Sequence, residues 1–278
     1  PSQLRNDNLK WETTKQFDIG IDFGILNNRI TGEIDYYVKK TDGLLLNVNI
    51  PATTGFNSQV RNVGKLENKG FEFVLNSTNI KTDDFSWKST LNLSTLDNKV
   101  VNLPGGDIVE GRNIVREGET ISSFYLVEYA GVNPDNGDAL FYLNTTKSDG
   151  TLDKTTTKNY SEAQRVITGS PYPTLMAGLT NTITYKEFDL SFTFQGEWGA
   201  SMYNEGGKFQ SGNARYEDNQ TIDQLDRWQK PGDITDVPRM DASRTSDFDA
   251  ASTRWLLDAT YFALRNVNLS YTVPTKWA

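Results

Sequence analysis

The side chains of this 278-residue chain that could do chemistry are carboxylates and aromatics. Histidine and cysteine are both absent. That removes the usual general base, the commonest metal ligand and any thiolate nucleophile. Among the acids, Asp233 and Asp236 flank a short loop stretch and carry the groups that glycoside hydrolysis uses, one acid and one base or nucleophile. Loop turns and helix ends use the same residues, and the sequence brings no other polar group to them. The reading is therefore no catalytic residue and no enzyme. Asn144 to Asp153, with Asp149-Gly150, has a trace of a calcium loop, but the alternating ligands and the terminal Glu are missing. It reads as a plain turn, with no metal and no cofactor expected. Aromatics offer more. Tyr203, Phe209, Tyr216 and Trp228 lie in the longest connection, and Trp198 stands beside it. Aromatic faces stack on sugars and peptides alike and give large contact area at low entropy cost. These four are the candidate contacts for a substrate or partner. The competing roles are a girdle position for Trp198 and a small packed core around Trp228.

The totals exclude several classes. The net charge is -8 and the pI about 4.8, and no basic stripe offers a nucleic-acid groove. Hydrophobic residues make up 36% and the mean hydropathy is -0.56. No run of about 18 apolar residues exists for a spanning helix. A membrane β-barrel stays open, because its inner face is polar and its loops are wet. The chain starts at Pro1 without an initiator Met, so it is expected to be a piece of a longer precursor.

The elements that must position these residues are strands. From Thr174 to Trp198, Leu175, Ala177, Leu179, Ile183 and Tyr185 share one face. After a turn at Lys186-Glu187, Phe188, Leu190, Phe192, Phe194 and Trp198 share the same face of the return arm. Asp189, Ser191, Thr193, Gln195 and Glu197 take the other. Strand side chains alternate across a sheet, so this is a hairpin with one apolar and one polar face. Its arms, about 11 residues at roughly 3.3 Å each, are long enough to cross a membrane when tilted. Lys15 to Leu26 repeats the pattern, with Phe17, Ile19, Ile21, Phe23 and Ile25 against Asp18 and Asp22. A turn at Asn27-Asn28 leads to Ile30, Ile34, Tyr36 and Val38 against Glu33 and Asp35. Further pairs are expected at Phe71 to Asn76 with Phe85 to Leu93, and at Ser123 to Tyr129 with Ala139 to Leu143. A last strand runs from Tyr261 to Val273, with Pro274-Thr275-Lys276 as the next turn.

This makes about nine strands in which short turns alternate with long connections. Outer-membrane barrels are connected in this way, and bacterial ones have an even strand number. The expected fold is thus all-β, an antiparallel transmembrane barrel segment that does not close on itself. The inward carboxylates Asp18, Asp22, Glu33, Asp35, Asp189 and Glu197 are read as wetting the lumen wall. A soluble, surface-exposed β-rich module that binds glycan or protein is the alternative. Ile222, Leu225 and Trp228 predict one short helix over Thr221 to Lys230, stopped by Pro231-Gly232 and folded over the outer rim.

This loop carries Arg227-Trp228-x-x-Pro231-Gly232-Asp233-x-Thr235-Asp236-x-Pro238-Arg239, and with it the sequence resembles the SusC/RagA-type TonB-dependent transporters of the outer membrane. A second block is Ser252-x-Arg254-Trp255-Leu256-x-Asp258-Ala259-x-Tyr261-x-x-Leu264-Arg265-Asn266-Val267-x-Leu269-x-Tyr271-x-Val273-Pro274. Upstream, Asn8 to Glu12, the strand-turn-strand to Asp35-Tyr36-Tyr37, Asn62-Val63-Gly64, Asn68 to Glu72 and Tyr185-Lys186-x-Phe188 to Ser191 also fit, in the family's order. The resemblance implies a barrel of about 22 strands with a plugged lumen, of which residues 1–278 are a part. A plug and a TonB-contacting segment would precede Pro1, and closing strands would follow Ala278. It also implies import of an oligosaccharide or peptide, outer-membrane lipid around the wall, and a SusD-like surface lipoprotein as a lid. Contact with TonB would run through the absent N-terminal part.

Overall fold

The computed structural model describes residues 4–212, 219–241 and 247–274. Seven long strands make one antiparallel wall: β1 (Thr13–Ile25), β2 (Ile30–Asp42), β3 (Lys65–Lys81), β4 (Phe85–Thr95), β5 (Leu175–Tyr185), β6 (Phe188–Trp198) and β7 (Tyr261–Tyr271). Each pairs with its sequence neighbour, in the order β1 to β7. A short strand, Asp97–Asn102, adds to the far end of β3. Among the described residues no helix is long and apolar enough to cross a membrane.

Local chemistry sets the short turns. Leu26, Asn27 and Asn28 all hold positive φ, at 53°, 54° and 60°. Asn tolerates this region better than most residues, and the reversal puts Ile25 opposite Ile30. Lys186 at φ 50° does the same between Tyr185 and Phe188. The three short turns, 26–29, 82–84 and 186–187, lie at one end of the wall. The connections 43–64, 96–174 and 199–260 lie at the other.

Register carries the alternation across the whole wall. Phe17, Ile19, Ile21, Phe23 and Ile25 stand opposite Val38, Tyr36, Ile34, Gly32 and Ile30. The same row continues through Phe71, Phe73 and Leu75, through Leu91 and Leu93, and on to Leu179 and Phe194. At β7 a bulge beside Phe194 absorbs one residue, so Leu264 and Val267 both stay on the apolar face. Gly32 completes the face by absence: a Cβ there would sit 2.4 Å from Phe23 Cζ, so the ring lies over bare backbone.

Among the described residues no second layer covers this face. Ile21, Phe17, Leu269, Phe262 and Val267 remain 57–68% exposed. Covering a large aliphatic or aromatic side chain is worth about 1.5–3 kcal/mol. A row of this length left bare in water would be costly, whereas acyl chains would cover it. The buried cores lie at the long-connection end. Val100, Leu103, Ile108 and Val115 pack with Leu46, Val48, Val63, Leu66 and Ile121. Val127, Ala139, Phe141 and Phe248 pack with Tyr129, Tyr160 and Ala163.

That second cluster corrects the strand count. The expected third pair is not in the wall, because β4 pairs directly with β5, from Phe85↔Tyr185 to Thr95↔Leu175. The residues instead form the short strands Ser123–Val127, Tyr129–Val132 and Ala139–Tyr142 in small separate sheets. A wall strand shows one face to lipid and one to the lumen. Phe124, Leu126 and Val127 are all buried, so Ser123–Val127 is covered on both faces and belongs in a packed core. Seven wall strands result, and connection 96–174 folds as a body on the rim.

Candidate functional site

The wall's polar face and the folded mouth are the two surfaces that could meet a cargo. On the wall, Asp22 lies opposite Glu33, and Asp35 opposite Glu72. Like charges directly opposite repel, which keeps this face open to water. Other acids are held: Thr184 Oγ1 donates to Asp189 at 2.6 Å, and Tyr261 Oη to Glu197 at 3.0 Å. The expected inward carboxylates therefore share one face of the sheet.

At the mouth, Trp228 pins the loop 227–239. Its indole Nε1 donates to Pro134 O at 3.0 Å. Its ring rests on Gly137, where a Cβ would come within 2.4 Å of Trp228 Cε3. Gly137 also holds φ 75°, so the turn 133–138 needs glycine twice over. Pro231 and Gly232, the latter at φ 91°, form a type II turn closed by Asp233 N to Lys230 O at 3.1 Å. The Asp233 carboxylate accepts from the backbone N–H groups of Gln229 and Lys230, both at 3.0 Å. Thr235 Oγ1 donates to Asp226 O at 2.6 Å, and Arg239 Nε to Asp138 at 3.0 Å. The motif Arg227 to Arg239 is thus a self-bonded loop clamped onto a turn far away in sequence. Asp233 is engaged in that turn, while Asp236 is exposed.

The expected helix over Thr221 to Lys230 is corrected here. The chain makes only a 3-10 turn, Ile222–Asp226, and runs extended at Arg227. Gln224 is the buried residue, 5% exposed, and its amide donates to Ser211 O at 3.3 Å. The bonds of Thr235 to Asp226 and of Trp228 N to Val237 O pull the chain out of helix before a second turn forms.

The other aromatics are placed as follows. Tyr203 lies in the strand Ser201–Tyr203, with the Arg112 guanidinium 4.2 Å above its ring. Arg112 also pairs with Glu205. Burial pushes the Tyr203 phenol up to about 12, against the pull of Arg112. Phe209, on helix α1 (Glu205–Gln210), is 38% exposed and lies beside Lys208. Tyr216 lies outside the described residues, as do Thr275 and Lys276 of the last expected turn. Trp198 ends β6, and its ring crosses Gly196.

Sequence reasoning missed Arg254, although the residue lies in a motif it singled out. Its guanidinium stacks on Trp255 at 4.4 Å and lies 5.9 Å from the Tyr129 ring. It donates to Phe248 O at 2.8 Å and Ser211 O at 3.3 Å. Burial lowers its pKa from the ordinary guanidinium value. Tyr129, Tyr142, Asp223, Asp236, Arg254 and Trp255 line a cavity of about 430 Å³ between the connections 96–174 and 199–260. In the loop 144–153, Asp149 accepts from Thr151 and Asp153 from Thr155, and these bonds hold both carboxyls below the usual range. Both acids cap their own turns.

Comparison with known proteins agrees with this architecture. Residues 1–277 match the family described as TonB dependent receptor-like, beta-barrel. A TonB-dependent receptor of Formosa agariphila is 37% identical over 97% of this chain and 28% of its own length. The TonB-dependent receptor SusC of Bacteroides thetaiotaomicron is 36% identical over 71% of this chain and 20% of its own. A solved structure of the RagAB peptide transporter superposes with a TM-score of 0.83 at 28% identity, covering 98% of this chain and 30% of that one. The chain therefore spans less than a third of these relatives. The family match spans nearly the whole chain and the Formosa agariphila relative is 37% identical over 97% of it, so the chain belongs to the TonB-dependent receptor β-barrel family.

Proposed function

We propose that residues 1–278 are part of the barrel of an outer-membrane TonB-dependent importer. The observation that carries this is the bare apolar face of β1 to β7, uncovered by any second layer among the described residues and continuous in register across seven strands. Lipid is the medium that would cover it. The short turns then lie at the periplasmic rim and the folded connections outside. A plug, a TonB-contacting segment and the remaining strands would belong to the rest of the protein. Cargo would be an oligosaccharide or a peptide, caught at the mouth with a SusD-like surface lipoprotein as lid. The relatives named SusC and RagAB support that pairing.

Tyr203, Phe209, Tyr216 and Trp228 are proposed as cargo or partner contacts. Phe209 has the most open ring of the described three, while Trp228 and Tyr203 give half-buried surfaces already fixed by Pro134 and Arg112. The test is disruption of the parent gene in its host, followed by growth on defined glycans and on defined peptides as sole nutrients. Loss of growth on one class, restored by the intact gene, supports import. Unchanged growth on every substrate, or an intact protein that stays in buffer without detergent, overturns it. The soluble-module reading needs Phe188, Leu190, Phe192 and Phe194 against a second sheet. Phe188 is 49% exposed, and β6 pairs only edge to edge with β5 and β7.

A further inference from the structure

We propose that Lys15, Lys40 and Lys65, with Lys10 and Trp11 beside them, hold the phosphate-bearing head group of an outer-leaflet lipid against the outside of the wall at its mouth end. Lys15 stands two residues before Phe17, and Lys40 two after Val38. Lys65 stands six before Phe71. Even spacing along a strand keeps all three on the apolar face, beyond its last row at the mouth. Lys15 lies directly opposite Lys40, and Lys65 lies opposite Asp42, the next residue of that face on β2.

The lysines surround a hollow. Lys10, Trp11, Lys15, Lys40, Lys65 and Val101 line a cavity of about 510 Å³. Asn62 fixes one side of it: its side chain accepts from Lys10 N at 2.8 Å and donates to Lys10 O at 2.8 Å. Trp11, next in the chain, is 93% exposed. Lys40 reaches Glu67 at 2.9 Å, and Lys65 reaches Asp42 at 2.9 Å. Lys10 and Lys15 make no ion pair among the described residues. Like charges directly opposite in a ladder repel, so Lys15 facing Lys40 calls for an anion between them. In a chain of net charge -8, four lysines around one hollow mark an anion site.

Place says which anion. Phe17 and Ile19, directly below on β1, are 60% and 59% exposed and belong to the face that acyl chains would cover. Further strands extend a barrel sideways from the edge of β1 and leave this face outward. A lipid lying along Phe17 and Ile19 brings its head group to Lys15 and Lys40, where a phosphate takes several ammonium donors at once. Snorkelling places single lysines at a membrane rim. It does not gather them on β1 to β3, while β5 and β6 end the same face at the mouth with Leu175 and Trp198. At the short-turn end the face closes with Tyr185, Phe188 and Tyr271. This inference rests on the barrel reading proposed above and adds a specific lipid contact to it.

The experiment uses the full-length protein, purified from outer membranes in mild detergent and stripped of lipid, with binding read by native mass spectrometry. Dioleoyl phosphatidate should stay bound, and dioleoylglycerol, the same lipid without its phosphate, should not. Lys15→Gln with Lys40→Gln should weaken phosphatidate binding about tenfold or more. Lys39→Gln with Lys88→Gln removes the same charge from the polar face and should leave binding unchanged. Inorganic phosphate at equal concentration should not displace the lipid; displacement would make this a free-phosphate site and overturn the lipid contact. Equal binding of the two lipids, equal loss in the two pairs of variants, or no loss in the first pair overturns it too. So does a first pair that sheds an acidic protein and keeps the phosphatidate. The importer reading survives each of these results while the protein shows the heat-dependent gel shift of a folded barrel. Without that shift the barrel reading itself fails and takes this site with it.

Discussion

Gly137 and Trp228 show how a loop motif depends on a distant single residue. The indole seats on the one backbone position where no Cβ intervenes, 2.4 Å from where that atom would be. Gly137→Ala therefore meets a ring and a left-handed φ together, and should cost about 2 kcal/mol or more of local stability. The expected result is faster hydrogen exchange across 133–138 and 227–239, with the wall unaffected. Trp228→Phe keeps the ring but loses the bond to Pro134 O, and should cost about 1 kcal/mol. The motif residues were legible as a pattern, but their purpose was not. Trp228 and Pro134 are 94 positions apart, and nothing in either stretch names the other.

Elements behave according to the medium on each face. Leu269 lies on the apolar face of β7, 67% exposed, and Asn268 on the other. Leu269→Arg should destabilise the full-length barrel by about 2–4 kcal/mol, whereas Asn268→Arg should be nearly neutral. Urea unfolding in lipid vesicles would measure both. At the mouth, burial works to raise the Asp223 carboxyl, but hydrogen bonds from Thr221 and Ser211 outweigh it and hold the pKa below the ordinary value. A depressed folded-state pKa gives stability that is present above the unfolded value, about 3.9, and is lost as pH falls through the folded one. Exchange protection of 204–212 and 219–226 should therefore fall below about pH 4, and Asp223→Asn should remove that dependence. The misplaced third pair also belongs to this scale. Ser-Phe-Tyr-Leu-Val at 123–127 contains apolar neighbours in sequence, the mark of a strand covered on both sides. Read as alternation, it passes for wall.

The whole molecule is an open wall with two edges. β1 and β7 each pair on one side only among the described residues, which leaves rows of backbone donors and acceptors unmatched. The 278-residue chain alone should aggregate in water and in detergent show no heat-dependent gel shift, while the full-length protein should show one. Cysteines placed at Ile21 and Leu269 in the full-length protein should react with a lipid-phase probe, and at Asp22 and Asn268 with a water-soluble one. The reverse pattern would place the apolar face inward and sink the barrel reading.

Alternation by itself pointed to all seven wall strands, their apolar face and the short turns, although it also counted the 123–143 pair among them, because a strand's period of two writes both solvents into consecutive residues. Absence of His and Cys likewise limited the chemistry before any fold was known. Tertiary structure alone decided the rest. It moved 123–142 from the wall into a rim core, replaced the helix at Thr221 to Lys230 with a 3-10 turn, and put Gln224 inside with Ile222 and Leu225 outside. These outcomes hang on contacts such as Trp228 to Pro134 and Phe248 to Phe141, whose partners lie about a hundred residues away. Local periodicity cannot encode a contact between segments so far apart; only the closed chain selects it.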